Sequence, residues 1–235
     1  MRSKKKVICI IPARIGSKRI LKKNIKIFHN RPLIYYAIKK ALRSNLFDRV
    51  IVSTDSNKIA KISKKFGAEV PFIRPKNISS SKSSTLDVLR HSIKKLNLNS
   101  KDELFCLYPT TPLLELKYIR QVKKILLSYP NNLCFTVMEA DERYQRGFFL
   151  EKNKIINFFN RKNLNKISQD LSKIYIDAGQ VYAAKVITIN RIPNLIDKDN
   201  KFVIIDKNKV IDIDNDIDWS FAEFLFKKYR KNLIL

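Results

Sequence analysis

The chain has 235 residues, 45% of them hydrophobic, and a formal net charge of +27. This length and apolar content suffice for a substantial core, so we expect a single domain over residues 1–235. No run approaches the roughly 18 apolar residues of a membrane-spanning helix. Composition therefore argues against a membrane protein and against a membrane partner.

The positive charge first suggests nucleic acid binding, because Lys and Arg side chains that neutralise phosphates dominate that affinity. The lysines, however, are scattered over nearly all of the predicted helices and loops. A dispersed charge acts on solubility and non-specific binding rather than at one site. We therefore expect no specific nucleic acid partner.

The opening MRSKKKVICIIPA has the basic start of a signal peptide, but Pro12 ends its apolar run and no small-residue cleavage site follows. Cys9, Cys106 and Cys134 are odd in number, far apart and embedded in apolar runs. This pattern indicates buried thiols in a reducing compartment, so we expect a cytoplasmic protein.

Apolar runs alternate with helical periodicity along the first 138 residues. The runs predict buried strands at 7–13, 49–54, 104–108 and 133–138. Apolar residues at helical spacing predict helices around 33–41, 59–66, 86–96 and 119–126. Asn30 is expected to cap the first of these helices, with Pro32 in its first turn. The alternation predicts an α/β fold with a Rossmann-like, mostly parallel sheet that has helices on both faces.

The alternation breaks down between about residues 140 and 177, where GFFL and KIINFF are short β-like pieces. Ile155, Ile156, Phe158 and Phe159 lie in this segment. Because exposed apolar clusters commonly mark interfaces, we expect 140–177 to be an insertion for dimerisation or ligand binding. Strands are predicted to follow at 180–184 and 201–205, and KVIDID is predicted to be a strand that leads into a terminal helix.

The segment ARIGSKR directly follows the first predicted strand, where ligands bind in α/β sheets. Arg14, Lys18 and Lys23 supply positive charge for a polyphosphate, and Gly16 can adopt a positive φ angle that lets a ligand approach the backbone. The segment is neither a Walker loop nor a GxGxxG motif. A solvated basic turn is the alternative, but only here do cations cluster at a strand end, which favours phosphate binding.

The segment VIDIDNDID alternates apolar and acidic residues, so Asp212 and Asp214 are expected on one face. Two such carboxylates can hold Mg²⁺ together with substrate phosphates. The alternative is that Asp214 or Asp216 caps the terminal helix.

The stretch IPARIGSKRILKKNIKIF resembles the opening motif of the acylneuraminate cytidylyltransferases, which activate nine-carbon sugar acids. The similarity continues through VSTD at 52–55, IRP at 73–75, YPTTP, the QDL and DAGQVY segments at 169–182 and the closing IDID, so it covers nearly the whole chain. Tyr108 and the SQDL stretch are most similar to the branch that acts on pseudaminic acid. Ile167 departs from that branch, which often has arginine there, and Lys166 or Arg161 is the candidate replacement.

The resemblance implies a nucleotide-diphospho-sugar transferase fold and transfer of CMP from CTP to a sugar acid, with Mg²⁺ as cofactor and a homodimer as the assembly. It implies catalytic roles for Arg14, Lys23 and Asp212, and a metal site at Asp212 and Asp214. The nucleotide-binding residues that it implies are Arg14, Gly16, Ser17, Lys18, Lys23, Asn24, Arg74, Ser80 and Ser81. Those implied for the sugar acid are Tyr108, Gln169, Tyr175 and Gln180.

Three questions stay open at this point. The sugar acid could be legionaminic or N-acetylneuraminic acid rather than pseudaminic acid. A basic nucleic-acid-binding protein on an inactive transferase fold is the alternative of another class. No general base is evident, since the two histidines, His29 and His91, are expected to be structural or exposed.

Overall fold

The computed structural model describes residues 4–229 and residue 233, so Met1, Arg2 and Ser3 of the opening lie outside it. The strands are β1 (Val7–Pro12), β2 (Ile27–Phe28), β3 (Arg31–Pro32), β4 (Arg49–Ser53), β5 (Glu103–Leu107), β6 (Cys134–Glu139), β7 (Phe148–Glu151), β8 (Lys154–Phe158), β9 (Tyr175–Lys185) and β10 (Lys201–Ile205). The α-helices are α1 (Leu33–Ser44), α2 (Asn57–Lys65), α3 (Thr85–Lys95), α4 (Leu116–Ser128), α5 (Val186–Arg191) and α6 (Asp216–Tyr229).

Six strands form the central sheet in the order β10-β6-β9-β5-β1-β4. Only β9 runs antiparallel to its neighbours in this sheet, so the prediction of a mostly parallel sheet is confirmed. β9 is longer than the predicted 180–184 because its first half also pairs with β6, beyond an irregularity between Phe135 and Val137. A central strand buried on both faces reads as a continuous apolar run, which is why these strands were visible in the sequence.

Helices cover both faces of the sheet, as predicted. Alternate residues of β1 show this: Cys9 and Ile11 belong to one buried cluster with residues of α1, α2 and α4. Ile8 and Ile10 belong to the other cluster, with residues of α3 and α5. The alternation follows from the two-residue period of a strand, and it leaves the loops at the strand ends free to form a site.

Two local predictions were wrong. Asn30 does not cap α1: His29 and Asn30 both have positive φ, at 45° and 64°, and form the turn between β2 and β3, while Pro32 is the N-cap. KVIDID is not a strand, since the described residues between 210 and 215 pair with no other strand. Its alternating pattern arises because Ile211 and Ile213 pack against α6.

The segment 140–174 stands outside the sheet, as predicted, and contains the antiparallel hairpin of β7 and β8 together with three short 3-10 helices. Its large apolar side chains are exposed: Phe149 is 51% accessible, Leu150 64%, Ile156 57% and Phe159 58%. Among residues 4–229 and 233, no helix is both long and apolar enough to cross a membrane.

Candidate active site

A cavity of about 560 Å³ opens at the edge of the sheet where the parallel strands β1, β4 and β5 end. It brings together ten of the residues predicted for the site, namely Arg14, Ser17, Lys18, Lys23, Asn24, Arg74, Ser80, Ser81, Tyr108 and Asp214. The lining also includes residues for which no role was predicted, among them Arg19, Thr85 and Thr110.

The loop after β1 is fixed by hydrogen bonds to neighbouring parts of the sheet edge. The Ala13 amide donates to the Ser53 carbonyl at 2.9 Å, and the Ile15 amide donates to Asp55 Oδ1 at 2.9 Å. The buried Asn24 side chain donates to the Arg14 carbonyl, also at 2.9 Å. The backbone that carries the cations is therefore preorganised.

Gly16 does not play the part predicted for it. Its φ angle lies outside the left-handed region, and a β-carbon built at this position would meet nothing within 4 Å. Lys22 has the positive φ instead, at 53°, immediately before the 3-10 turn of Lys23–Ile25. The chain thus bends at Lys22, and Gly16 does not line the cavity.

Arg14 and Lys18 have no carboxylate partner among the described residues. Arg74 is buried, with 3% of its surface accessible, and its Nε donates to Ser79 Oγ at 3.1 Å. Burial lowers the pKa of the Arg74 guanidinium, Asp55 opposes this, and the positive charge of Arg14 lowers it further. An anion between the two arginines would relieve their repulsion, so the geometry favours an anionic ligand.

Lys23 and Arg19 are joined to the segment that precedes α6. Lys23 Nζ donates to the Ile213 carbonyl at 2.5 Å and lies 3.2 Å from Asp214 Oδ1. An Arg19 guanidinium nitrogen lies 2.7 Å from Asp214 Oδ2. These contacts bring the acidic segment, nearly 200 residues away in the chain, to the cationic loop.

The two aspartates predicted to bind the metal differ in their position relative to the cavity. Asp214 lines the cavity, whereas Asp212 lies outside the lining. Burial, followed by the charge of the nearby Asp214, raises the pKa of Asp212. Two adjacent carboxylates have the hard oxygen donors that Mg²⁺ prefers, so the donor set fits that ion.

The capping alternative for this segment was wrong. Asn215 caps α6, because its Oδ1 accepts from the Asp218 amide at 2.9 Å. Asp218 reaches back and accepts from the Asn215 amide at 3.0 Å and from the Asp214 amide at 2.9 Å. This reciprocal pattern is a capping box, and it leaves the Asp214 carboxylate free for the cations.

The serine-rich loop lies at the N-terminus of α3. Ser80 Oγ and Ser83 Oγ are 3.2 Å apart, and both residues line the cavity together with Ser81. Ser84 and Asp87 form a capping box that begins α3. The next residue, Thr85, therefore has a fixed position on the cavity wall.

Tyr108 follows β5 and is held by the Gln180 carbonyl, which accepts from its amide at 3.0 Å. Its hydroxyl lies 2.5 Å from Thr85 Oγ1, and its ring packs against that of Tyr182 with the two centroids 5.4 Å apart. Tyr182 in turn donates to Asp177 Oδ2 at 2.5 Å. Burial first, then the neighbouring Cys106, raises the pKa of Tyr108 to about 12.

The other residues predicted for the sugar acid are not brought to this cavity. Gln169 and Ile167 are exposed on the segment outside the sheet, and Tyr175 is exposed at the start of β9. Gln180 is buried, and its Oε1 has no hydrogen-bond partner among the described residues. Only Tyr108 of the four lines the cavity.

Sequence reasoning gave no role to Arg19, Thr85, Asp177 or Tyr182. Arg19 was visible as one more cation of the loop, but its carboxylate partner was not. Thr85 and the Asp177–Tyr182 pair carry no local signal, because their contacts depend on how α3, β5 and β9 are arranged. Neither histidine lines the cavity: His29 packs between Phe28 and Phe226, and His91 packs against Phe72.

A family model described as "Cytidylyltransferase" matches residues 8–183. The chain belongs to this family. A pseudaminic acid cytidylyltransferase of Campylobacter jejuni is 36% identical over 94% of this chain and 97% of its own length. A CMP-N,N'-diacetyllegionaminic acid synthase of Legionella pneumophila is 26% identical over 97% of this chain and all of its own length.

The solved structures agree on the fold. A CMP:2-keto-3-deoxy-manno-octonic acid synthetase complexed with CTP superposes with a TM-score of 0.73 at 13% identity, covering 95% of this chain and 99% of that one. This likeness confirms the nucleotidyltransferase fold. The predicted cytidylyltransferase family is likewise confirmed.

Proposed function

We propose that the protein transfers CMP from CTP to the anomeric hydroxyl of a nine-carbon sugar acid, giving the CMP-sugar and pyrophosphate. The observation that carries this is the cavity wall, where Arg14 and Lys18 are unpaired and Arg74 is buried beside Arg14. A cluster of cations in one cavity fits a triphosphate, and membership of the cytidylyltransferase family identifies that triphosphate as CTP.

The cationic loop positions the nucleotide and stabilises its leaving group. Arg14, Lys18 and Lys23 bind phosphate oxygens, while Arg74 holds the loop of Ser80 and Ser81 that faces the nucleoside. The anomeric hydroxyl attacks the α-phosphorus in line, the bond to the β-phosphate breaks, and the hydroxyl proton passes to water. Charge grows on the departing pyrophosphate, where the cations stabilise it more than in the ground state.

Asp212 and Asp214 are the residues that would hold Mg²⁺. Burial and, after it, the charge of Asp214 raise the pKa of Asp212, and a divalent cation would offset both the loss of hydration and the repulsion between the carboxylates. When bound, Mg²⁺ would neutralise charge on the transferred and departing phosphates. Asp214 also keeps Arg19 and Lys23 at the cavity through its ion pairs.

Pseudaminic acid is the proposed acceptor, because the relative that acts on it by name is 36% identical over nearly the full length of both chains. Legionaminic acid is the second candidate, favoured by a full-length relative at 26% identity. N-acetylneuraminic acid is the third. We place the reaction in the cytoplasm, where the three buried, unpaired cysteines would stay reduced.

A homodimer through the 140–177 segment accompanies this proposal. The hairpin of β7 and β8 exposes Phe149, Leu150 and Ile156, and Gln169 is exposed on the same segment, with Tyr175 exposed at the start of β9. Burying these apolar side chains against a second copy would place both residues in an interface. The sugar-acid end of the site is proposed to be completed there.

The deciding experiment supplies CTP, Mg²⁺ and each of the three sugar acids separately and measures pyrophosphate release. Release with pseudaminic acid in clear excess over the other two is expected. Release with legionaminic acid alone would replace the substrate but keep the chemistry. Absence of release with all three acids would contradict the proposed function.

A further inference from the structure

The Asp214 carboxylate pairs with two cations of the loop after β1, one on each oxygen. Lys23 Nζ lies 3.2 Å from Oδ1, and an Arg19 guanidinium nitrogen lies 2.7 Å from Oδ2. All three residues line the cavity, so these contacts lie where the triphosphate is proposed to bind. A metal ion that approaches Asp214 would therefore meet a carboxylate with positive charge on both of its oxygens.

The two cations are held with different firmness. The Lys23 side chain is only 18% accessible, and its Nζ also donates to the Ile213 carbonyl at 2.5 Å. The Arg19 side chain is 70% accessible, and an exposed ion pair of this kind contributes on the order of 1 kcal/mol or less. Arg19 can therefore leave Asp214 at little cost, whereas Lys23 is anchored to the segment before α6.

The charges in this part of the cavity are balanced before any ligand binds. The positive charges of Arg19 and Lys23 offset the negative charges of Asp212 and Asp214, so a divalent cation alone finds no excess of negative charge. A triphosphate brings several negative charges, and its oxygens match the planar fork of a guanidinium. Transfer of Arg19 from Asp214 to a phosphate would free Asp214 Oδ2 for a metal ion.

We propose that Arg19 is a further triphosphate-binding residue, which exchanges Asp214 for a phosphate of CTP when a divalent cation takes its place on that carboxylate. Without nucleotide, Arg19 stays on Asp214 and its charge repels a metal ion. With both ligands present, each favours the binding of the other, because the metal releases Arg19 to the phosphate. The inference rests on the proposed function and gives a role to a cation for which none was predicted.

Arg19→Gln separates this exchange from a general effect of charge. If Arg19 exchanges partners, it contributes to the binding of metal-bound CTP but little to that of metal-free CTP, because without metal it stays on Asp214. Loss of one positive charge from the cavity, with no exchange, predicts the reverse, since metal-free CTP is the more negative ligand. The two dissociation constants of CTP therefore distinguish the two explanations.

The measurement is calorimetric titration of CTP without sugar acid, once in EDTA and once in excess Mg²⁺. We expect Arg19→Gln to raise the Kd in Mg²⁺ by roughly 10-fold or more, the effect of one charge-assisted hydrogen bond, and the Kd in EDTA by less than about threefold. Mn²⁺ titrated without nucleotide and followed by electron paramagnetic resonance should bind the variant roughly 3- to 10-fold more tightly than wild type, because the competing guanidinium is gone.

Arg49→Gln is the matched control, because Arg49 also pairs with a carboxylate, that of Glu69 at 2.6 Å, and lies outside the cavity lining. It should leave all three dissociation constants unchanged. A loss of CTP affinity in EDTA as large as that in Mg²⁺, or Mn²⁺ binding no tighter than in wild type, would overturn the inference while leaving the proposed function intact. A wild type that binds CTP under neither condition would overturn both.

Discussion

The loop after β1 and the 140–174 segment differ in how firmly the rest of the chain holds them in place. The loop is tied to the sheet by Ala13, Ile15 and Asn24, and its charges converge on one cavity. The outer segment has a short hairpin with exposed apolar side chains, and its Gln169 is exposed as well. The cationic side of the cavity is thus preformed in one chain, and the exposure of the outer segment supports the proposal that a second copy completes the sugar-acid end.

The largest expected effect comes from removing a free cation of the loop. Arg14→Ala should lower kcat/KM by roughly 100- to 1,000-fold, because a charge aimed at the triphosphate acts where transition-state charge accumulates. Its stability should hardly change, because its side chain makes no ion pair with the described residues. Steady-state kinetics and thermal melts on this variant test both statements.

Lys227→Ala is the matched control on the outer part of α6, and it should keep wild-type kinetics. If both variants had equal activity, the cationic loop would not be a triphosphate site. The loop after β1 would then be preformed without serving to bind the nucleotide.

The second-largest effect is expected from replacing the two aspartates proposed to bind Mg²⁺. Asp212→Asn and Asp214→Asn should each lower turnover by roughly 10- to 100-fold and raise the Mg²⁺ concentration needed for half-maximal rate, if both residues hold the metal. Asp214 also pairs with Arg19 and Lys23, whereas Asp212 has no ion pair among the described residues. A Mg²⁺ titration of rate for the two variants measures this.

Comparing the two variants separates metal binding from the ion pairs that Asp214 makes with Arg19 and Lys23. A shift in metal requirement for both supports the metal site, while loss in Asp214→Asn alone would mean that the ion pairs matter and the metal site is wrong. Asp216→Asn, at an 86% exposed side chain, serves as the control and should leave the titration unchanged.

Much of the sheet was predictable because its strands are buried on both faces and read as apolar runs. The same logic failed at VIDID, where the alternation reflects packing of Ile211 and Ile213 against α6 rather than strand pairing. The cationic loop was predictable because its cations are adjacent in sequence. The hydrogen bond between Thr85 and Tyr108 was not predictable, because it depends on how α3 packs beside the end of β5.

The proposed dimer interface can be tested by introducing negative charges into the hairpin of β7 and β8. Phe149→Asp together with Ile156→Asp should convert a homodimer into a monomer, since two carboxylates would be buried unpaired in the apolar interface. Light scattering at micromolar concentration should then report half the wild-type mass. CTP binding should persist, and the sugar-acid KM should rise by about 10-fold or more, because a substrate contact is lost.

Ser128→Asp at an exposed position of α4 adds a charge far from the hairpin along the chain and should leave the mass unchanged. A wild-type protein that is already monomeric would contradict the dimer. A monomeric double variant with unchanged sugar-acid KM would keep the dimer but detach it from substrate binding.

The smallest effect on turnover is expected at Lys40, a buried lysine of α1. Its Nζ donates to the Thr111 carbonyl at 3.1 Å and to the Pro112 carbonyl, behind the cavity loop of Tyr108–Thr110. Burial lowers the pKa of Lys40 to about 7, with Glu115 opposing the shift. Lys40 therefore helps to position the loop of Tyr108–Thr110, although burial makes its charged form unfavourable in the folded state.

The sign of the pH dependence follows from that shift. Between about pH 7 and the usual lysine pKa near 10.4, the unfolded chain holds the Lys40 proton and the folded chain has released it, so stability rises with pH across this window. Lys40→Met should flatten the rise, by an amount on the order of a few kcal/mol, when urea unfolding is followed at pH 7, 8 and 9. Lys61→Met, at an exposed position of α2, should keep the wild-type slope. If Lys40→Met and wild type kept the same slope, Lys40 would remain charged when folded, and its bonds to the two carbonyls would outweigh the cost of burial.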